Sequence, residues 1–171
     1  MFVAGLQYCC NMTPEIKTTS EKKLIGKRIT TTISKNDAQM LWGGFMPRRK
    51  EITNALNNDL YSVEVFAPDF FKAFNPNSEF EKWAAVEVSE LENVPNGMEA
   101  LTVPGGLYAV FTHKGRDSEA LKTFGYIFNT WLPASEYVID DRPHFEVMGE
   151  KYKRDSPESE EEVWVPVRLK E

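Results

Sequence analysis

Cysteine is nearly absent: the 171-residue chain has two, Cys9 and Cys10, and they are adjacent. Neighbouring cysteines rarely bridge each other, and two thiols supply too few ligands for a structural zinc site. A disulfide scaffold is therefore excluded, and reduced thiols in a cytoplasmic compartment are expected. Histidine is equally scarce, with only His113 and His144. No metal-spaced ligand cluster, phosphate-cradling glycine loop or nucleophile elbow appears, so no cofactor and no metal are expected. No apolar run reaches the ~18 residues that a membrane helix needs. No Lys or Arg precedes Lys17, so a signal peptide is not expected either. Asn11-Met12-Thr13 fits a glycosylation sequon, which a cytoplasmic chain would ignore. Positive charge is short and scattered: the net charge is −6, and the densest basic group is Arg48-Arg49-Lys50. That excludes a phosphate-tracking surface, so no direct nucleic-acid partner is expected.

What remains is ordinary globular material, 42% hydrophobic and 27% charged, sufficient for one domain over 1–171. Its most informative feature is an internal repeat. A β-branched run over 22–34 reads as a strand, and Asn36 or Asp37 can cap a helix over about 38–57. Gly43, Gly44 and Pro47 make that helix a poor one, prone to kink or break. Strands follow at 61–66 and 80–89. After the turn Val94-Pro95-Asn96-Gly97 the order recurs: strands at 97–103 and 107–113, a helix from Asp117 or Ser118 to about Trp131, then strands at 145–150 and 162–170. Val63-Glu64-Val65-Phe66 matches Phe145-Glu146-Val147-Met148 at an offset of 82 residues, and Trp42-Gly43 matches Phe124-Gly125 at the same offset. Glu81-Lys82-Trp83 matches Glu162-Val163-Trp164 at 81. The expected fold is α+β, two strand–helix–strand–strand units over about 15–92 and 97–171, related by a pseudo-twofold axis. The acidic stretch 155–162 reads as a solvated hairpin loop.

Strand alternation assigns faces. Val163, Val165, Val167 and Leu169 share one side, taken as the core beneath the helices, so Trp164 faces away. The same division, with Phe145, Val147, Val63 and Val65 placed inward, turns Glu146, Met148 and Glu64 outward beside Trp164 and Trp83. Each half then carries a Glu and a Trp on the face away from its helix, an odd exposure unless the halves meet there around a cleft. A carboxylate among aromatic rings is partly desolvated and favours an arriving cation, which the ring faces attract as well. Glu146 with Trp164, Tyr108 and Trp83 suits a flat, lipophilic, positively charged molecule.

The second half carries four distinctive segments: Val103-Pro104-Gly105-Gly106-Leu107-Tyr108-Ala109-Val110-Phe111, Trp131-Leu132-Pro133-Ala134-Ser135, Arg142-Pro143-His144-Phe145-Glu146 and Glu162-Val163-Trp164-Val165-Pro166-Val167. In combination they resemble the GyrI-like effector-binding family. The resemblance covers about 97–170 and implies a pseudo-twofold α+β fold with a central ligand groove. Members include effector domains of AraC- and MerR-type multidrug-responsive regulators. The resemblance implies Glu146 as the residue that meets a cation and Trp164 as a wall of the groove. Met148 stands where the family commonly has Tyr, replacing a hydroxyl with a flexible thioether.

The first functional expectation is a binding module for small cationic or amphipathic aromatic molecules. It lacks a DNA-binding domain, since too few residues precede the first strand for a helix-turn-helix. An alternative is a hydrolase of electrophilic cyclopropane-bearing compounds, with Glu146 acting on water or a leaving group and Tyr108 and Glu64 as candidate partners. A third is a protein-interaction role such as shielding a topoisomerase. Haem binding is the weakest, since His113 is expected in the core and His144 stands alone.

Overall fold

The computed structural model describes residues 12–171, so the expectations for Cys9, Cys10 and Asn11 lie outside the described residues. Among the described residues, nine strands and two helical segments make a mainly antiparallel α+β fold. The strands are β1 (Glu15–Thr19), β2 (Lys22–Thr32), β3 (Leu60–Val65), β4 (Glu79–Glu87), β5 (Glu99–Val103), β6 (Gly106–Lys114), β7 (Tyr137–Ile139), β8 (His144–Met148) and β9 (Glu160–Leu169). Helix α1 (Ala38–Phe45) follows β2, and helix α2 (Ala120–Tyr126) follows β6.

Two elements depart from expectation for local reasons. Helix α1 ends at Phe45 rather than near 57, and a 3-10 turn, Met46–Glu51, continues the chain. Pro47 sits at the start of that turn, where its missing N–H cannot extend the α-helical ladder. Helix α2 runs on through a π turn, Ile127–Trp131, and closes with Leu132–Ala134, one turn past the expected stop. Strands β1 and β7 were not expected: both are short, β1 is a polar strand at the end of the row, and among the described residues β7 pairs with β9 alone.

The strand order is β1-β6-β9-β8-β3-β4-β2-β5. Exchanging β1 for β5, β2 for β6, β3 for β8 and β4 for β9 returns the same row read backwards. The ladders agree in register: Val63 lies opposite Trp83, and Phe145 lies opposite Trp164. These are the residues that the sequence offsets match.

The row is also strongly curved. Strand β1 ends opposite Gly106 of β6, whereas β2 begins opposite Val103 of β5. Only Ser20 and Glu21 separate β1 from β2, and two residues span no more than a few ångströms each. Strands second and seventh in the row must therefore start close together, which wraps the sheet around its inner face. A Cβ on Gly105 would lie 2.6 Å from the Thr19 carbonyl oxygen, so the β5–β6 link needs a glycine to pass the β1–β2 link.

Both sheet faces are consequently buried. The inner face holds Leu24, Tyr61, Val63, Trp83, Tyr108 and Phe145. On the outer face α1 covers one end, packing Leu41 and Phe45 on Ile25, Ala84 and Val86. The α2 segment covers the other, packing Ile127 on Phe111, Val163, Val165 and Val167. Gly26 of β2 lets β4 approach: a Cβ there would meet Ala85 Cα at 2.6 Å and Ala85 Cβ at 2.7 Å. Gly26→Ala is expected to lower stability by about 2 kcal/mol through this overpacking, read as an earlier denaturant midpoint with an unchanged m-value.

Candidate ligand cleft

The helices cover the two ends of the outer face and leave the central strands β3 and β8 between them. Alternation decides what faces this gap. Val63 and Phe145 belong to the inner core, so Ser62, Glu64, His144, Glu146 and Met148 point the other way. Met148 lies opposite Leu60, which packs against the α1 cluster. Lys82, next to Trp83 in β4, faces the gap as well, and its Nζ donates to Glu64 Oε1 at 2.8 Å.

This corrects the face assignment made from the sequence. Glu64, Glu146 and Met148 lie on the helix side, whereas Trp83, Tyr108 and Trp164 lie on the opposite, inner side. Val63, Val65, Phe145 and Val147 do not lie beneath the helices but pack with the tryptophans. Phe145 stacks on Trp164 with centroids 5.2 Å apart and planes at 18°. Tyr108 is fully buried and packs on both rings. The physical reason is that the curled sheet has two apolar faces, so apolar parity alone does not say which face a helix covers. Val163, Val165 and Val167 do lie under a helix and Trp164 on the other side, whereas Leu169, expected with the valines, is exposed at the end of β9. The carboxylates that do share the inner face with the tryptophans are Glu81 and Glu162, which accept from the Trp83 and Trp164 indole N–H groups at 3.4 and 2.8 Å, and not Glu64 or Glu146.

What the gap does contain is an acidic pair with one cation. Glu64 and Lys82 form a buried ion pair, with side chains 12% and 16% exposed. Glu146 has no such partner: its Oε2 is buried without a hydrogen bond. Burial first, and then the Glu64 charge, push the Glu146 carboxyl well above the usual carboxylate range, against the pull of Lys82. Desolvation works against the Lys82 ammonium, but the Glu64 and Glu146 charges more than offset it and hold its pKa above the ordinary lysine value. Glu161 of β9 is pushed up to about 7, mainly by burial and then by the Asp117 and Glu64 charges. The outer face of the central strands thus holds more carboxyl groups, Glu64, Glu146 and Glu161, than cations, in surroundings that disfavour uncompensated negative charge.

Aromatic rings close the cleft, and sequence reasoning missed them. The connection between β3 and β4 carries Phe66, Phe70, Phe71 and Phe74. Phe66 packs on Phe70, Phe80 and His144 at 4.5 to 5.0 Å, and Phe71 stacks on Phe128 and His144 at 5.5 and 5.3 Å. His144 is buried, and burial lowers its pKa to about 3, so the ring is neutral at any ordinary pH. Beside these rings lies an open cavity of about 480 Å³, lined by residues that include Phe66, Phe71, Leu132, Tyr137, Ile139 and His144. The sequence held a signal: four phenylalanines within nine residues, beside Pro68, in a connection where polar turn residues are the norm. His113, by contrast, is structural as expected, with Nδ1 2.7 Å from Thr123 Oγ1 and Nε2 3.1 Å from the Arg116 carbonyl oxygen.

Among the described residues no group of three or more His, Cys, Asp or Glu is arranged to hold a metal ion. None of the described helices is long and apolar enough to cross a membrane.

A curved sheet, two helices on its outer face, and a partly apolar cleft with buried carboxyls between them define a small-molecule-binding domain. The chain belongs to the GyrI-like small molecule binding domain family, whose model matches residues 12–168. Among curated proteins it is 30% identical over 128 residues to the transcriptional regulator BrlR of Pseudomonas aeruginosa. That match takes in 74% of this chain but 45% of BrlR, so the chain spans less than half of that relative. Among solved structures, SAV2435 bound to tetraphenylphosphonium superposes with a TM-score of 0.67 at 16% identity, covering 92% of this chain and 94% of that one. The EcmrR C-terminal domain gives 0.68 at 15% identity, covering 94% and 99%. These two likenesses speak for the fold.

Proposed function

We propose that the chain binds lipophilic organic cations bearing aromatic rings, in the cytoplasm, and releases them unchanged. The cation sits over β3 and β8 with its charge against Glu146. One observation carries this reading: a carboxyl oxygen of Glu146 buried without a hydrogen bond, two residues along β8 from His144, which lines the aromatic-walled cavity. An incoming cation supplies the missing counter-charge, and ring faces add attraction worth about 0.5–2 kcal/mol each. That SAV2435 was solved with tetraphenylphosphonium supports this ligand class. The relation to BrlR supports a role as an effector-sensing unit. Of the residues expected to touch ligand, the reading keeps Glu146, with Glu64 and Met148 near it. Trp83, Tyr108 and Trp164 become the packing behind the site.

The test is a calorimetric titration with tetraphenylphosphonium. Wild type should bind, and Glu146→Gln should bind at least about tenfold more weakly, the loss expected for one desolvated charge contact. Protons compete with the cation for Glu146, so wild-type affinity should fall as the pH is lowered through the raised carboxyl pKa, and the Gln variant should show a flatter profile. Equal binding by the two proteins at every pH would refute the assignment. Recovery of altered ligand would instead favour hydrolysis at Glu146.

A further inference from the structure

The aromatic wall holds a ring of the chain's own in a seat suited to a ligand. Phe71, Phe128 and His144 are within 20° to 36° of parallel, with all three centroid separations between 5.3 and 6.2 Å. A ring sandwiched between two others would leave the outer pair much farther apart. Phe71 therefore lies across Phe128 and His144, which together form a platform. Both supports are fixed by secondary structure. His144 opens β8, two residues from Glu146 on the same face. Phe128 stands on the π turn Ile127–Trp131, an irregularity of helical geometry that is frequent at functional sites.

The tenant is held differently. Phe71 belongs to an irregular connection, residues 66–78, with no helix or strand of its own. The Phe70 N–H donates to the Ala67 carbonyl and the Lys72 N–H to the Asp69 carbonyl, so these turns close within the segment. The next anchor is at the Pro76 carbonyl, which accepts from the Ser34 N–H. Among the described residues, 67–74 make no hydrogen bond to the rest of the chain; ring contacts keep the segment down. Phe71 also lines the 480 Å³ cavity, as does His144, so the ring lies where the open cavity meets the platform.

We infer that the Phe128–His144 platform is the subsite for an aromatic ring of the ligand, and that Phe71 is a removable occupant which the ligand displaces. The inference rests on the cation-binding reading above and adds to it the place of the ring and its competitor. A neutral imidazole beside a phenyl face offers a flat, dry surface, and a ring seated there is one strand step from the unpartnered Glu146 oxygen. Ligand entering from the cavity meets Phe71 first. Removing that side chain removes the competitor while leaving the platform and the carboxyl untouched.

The experiment compares tetraphenylphosphonium binding by wild type, Phe71→Ala, Phe71→Leu and Phe128→Ala, with Glu146→Gln as reference. Two stacked ring pairs are lost when Phe71 leaves its seat, so Phe71→Ala should bind about tenfold more tightly than wild type. Phe71→Leu should fall between, and Phe128→Ala should bind more weakly. A 4-fluorophenylalanine at position 71 gives a direct readout. Its ¹⁹F resonance should move toward the solvent-exposed value as ligand saturates the site. Binding that depends on Glu146 but is unchanged or weakened in Phe71→Ala, with an unmoved ¹⁹F resonance, overturns the inference and leaves the cation site standing. Binding indifferent to Glu146 overturns the cation site itself. Binding by Phe71→Ala alone supports the inference; binding by no variant overturns both.

Discussion

Glu146→Gln should melt above the wild-type protein at pH 8 and together with it near pH 4. The direction follows from the linkage between protonation and folding. In the unfolded chain this carboxyl ionises in the ordinary range, whereas in the folded protein burial and the neighbouring Glu64 charge hold its pKa well above that. Below the unfolded value both states are protonated and the group costs nothing. As the pH rises from there, the unfolded chain ionises first and gains stability, so the folded state loses ground. The loss is complete above the folded pKa. A glutamine has no such dependence. Lys82 limits the effect, because its ammonium, already paired with Glu64, attracts Glu146 as well. A stabilisation on the order of 1–3 kcal/mol is expected, the cost of an unsatisfied buried polar group, or roughly 2–4 °C in Tm per kcal/mol for a chain of this size. Thermal melts of both proteins at pH 4, 6 and 8 read the difference. A Gln variant that melts below wild type at pH 8 would mean that Glu146 is a satisfied structural carboxylate, and the cleft would lose its reason to attract a cation.

The same variant is expected to gain stability and lose ligand affinity, which is the relation anticipated for a site kept strained for function. Ligand should also reverse the order. Saturating tetraphenylphosphonium stabilises only a protein that binds it, by mass action, so wild type should overtake Glu146→Gln as the ligand concentration rises.

The sequence made the order of elements legible because strand and helix periods, caps and turn residues are local signals. The offsets of 82 and 81 residues related Val63 to Phe145 and Trp83 to Trp164, and the fold treats them alike, with Val63 opposite Trp83 and Phe145 opposite Trp164, although which strands pair was not legible. The sequence also did not reveal which face the helices cover. Val63-Glu64-Val65 and Phe145-Glu146-Val147 read the same whether the apolar residues lie under a helix or inside a curled sheet. The curl comes from β1 crossing to β6 and β5 to β2, pairings between segments distant in the chain that leave no local pattern. Glu146 was legible as a candidate in its own right, but its neighbours were not. Lys82 acts on it from β4, while Phe71 from an irregular connection and Phe128 from a π turn pack on His144, two residues away, and only the fold brings them together.

Tyr108→Ala is expected to be the most damaging of these substitutions, and Tyr108→Phe nearly harmless. The Tyr108 ring is fully buried, packs on Phe145 and Trp164 at 5.2 and 5.8 Å, and lies 4.6 Å beneath the Arg142 guanidinium. Truncation to Ala removes those contacts and leaves a cavity in the inner core, at a cost of about 3–5 kcal/mol. That corresponds to a fall in Tm of roughly 6–20 °C. Tyr108→Phe keeps the ring and loses only the bond that the hydroxyl donates to the Pro143 carbonyl, 3.0 Å long, worth about 1 kcal/mol. The pair also decides which side of the sheet is the site. Pro143 precedes His144, so the hydroxyl steadies the start of β8 from behind without reaching the cleft. A phenylalanine at this position should therefore bind tetraphenylphosphonium as tightly as wild type. If Tyr108→Phe instead kept its Tm and lost tenfold in affinity, the ligand would have to lie among Tyr108, Trp83 and Trp164. The inner face would then be a binding chamber rather than a packed core.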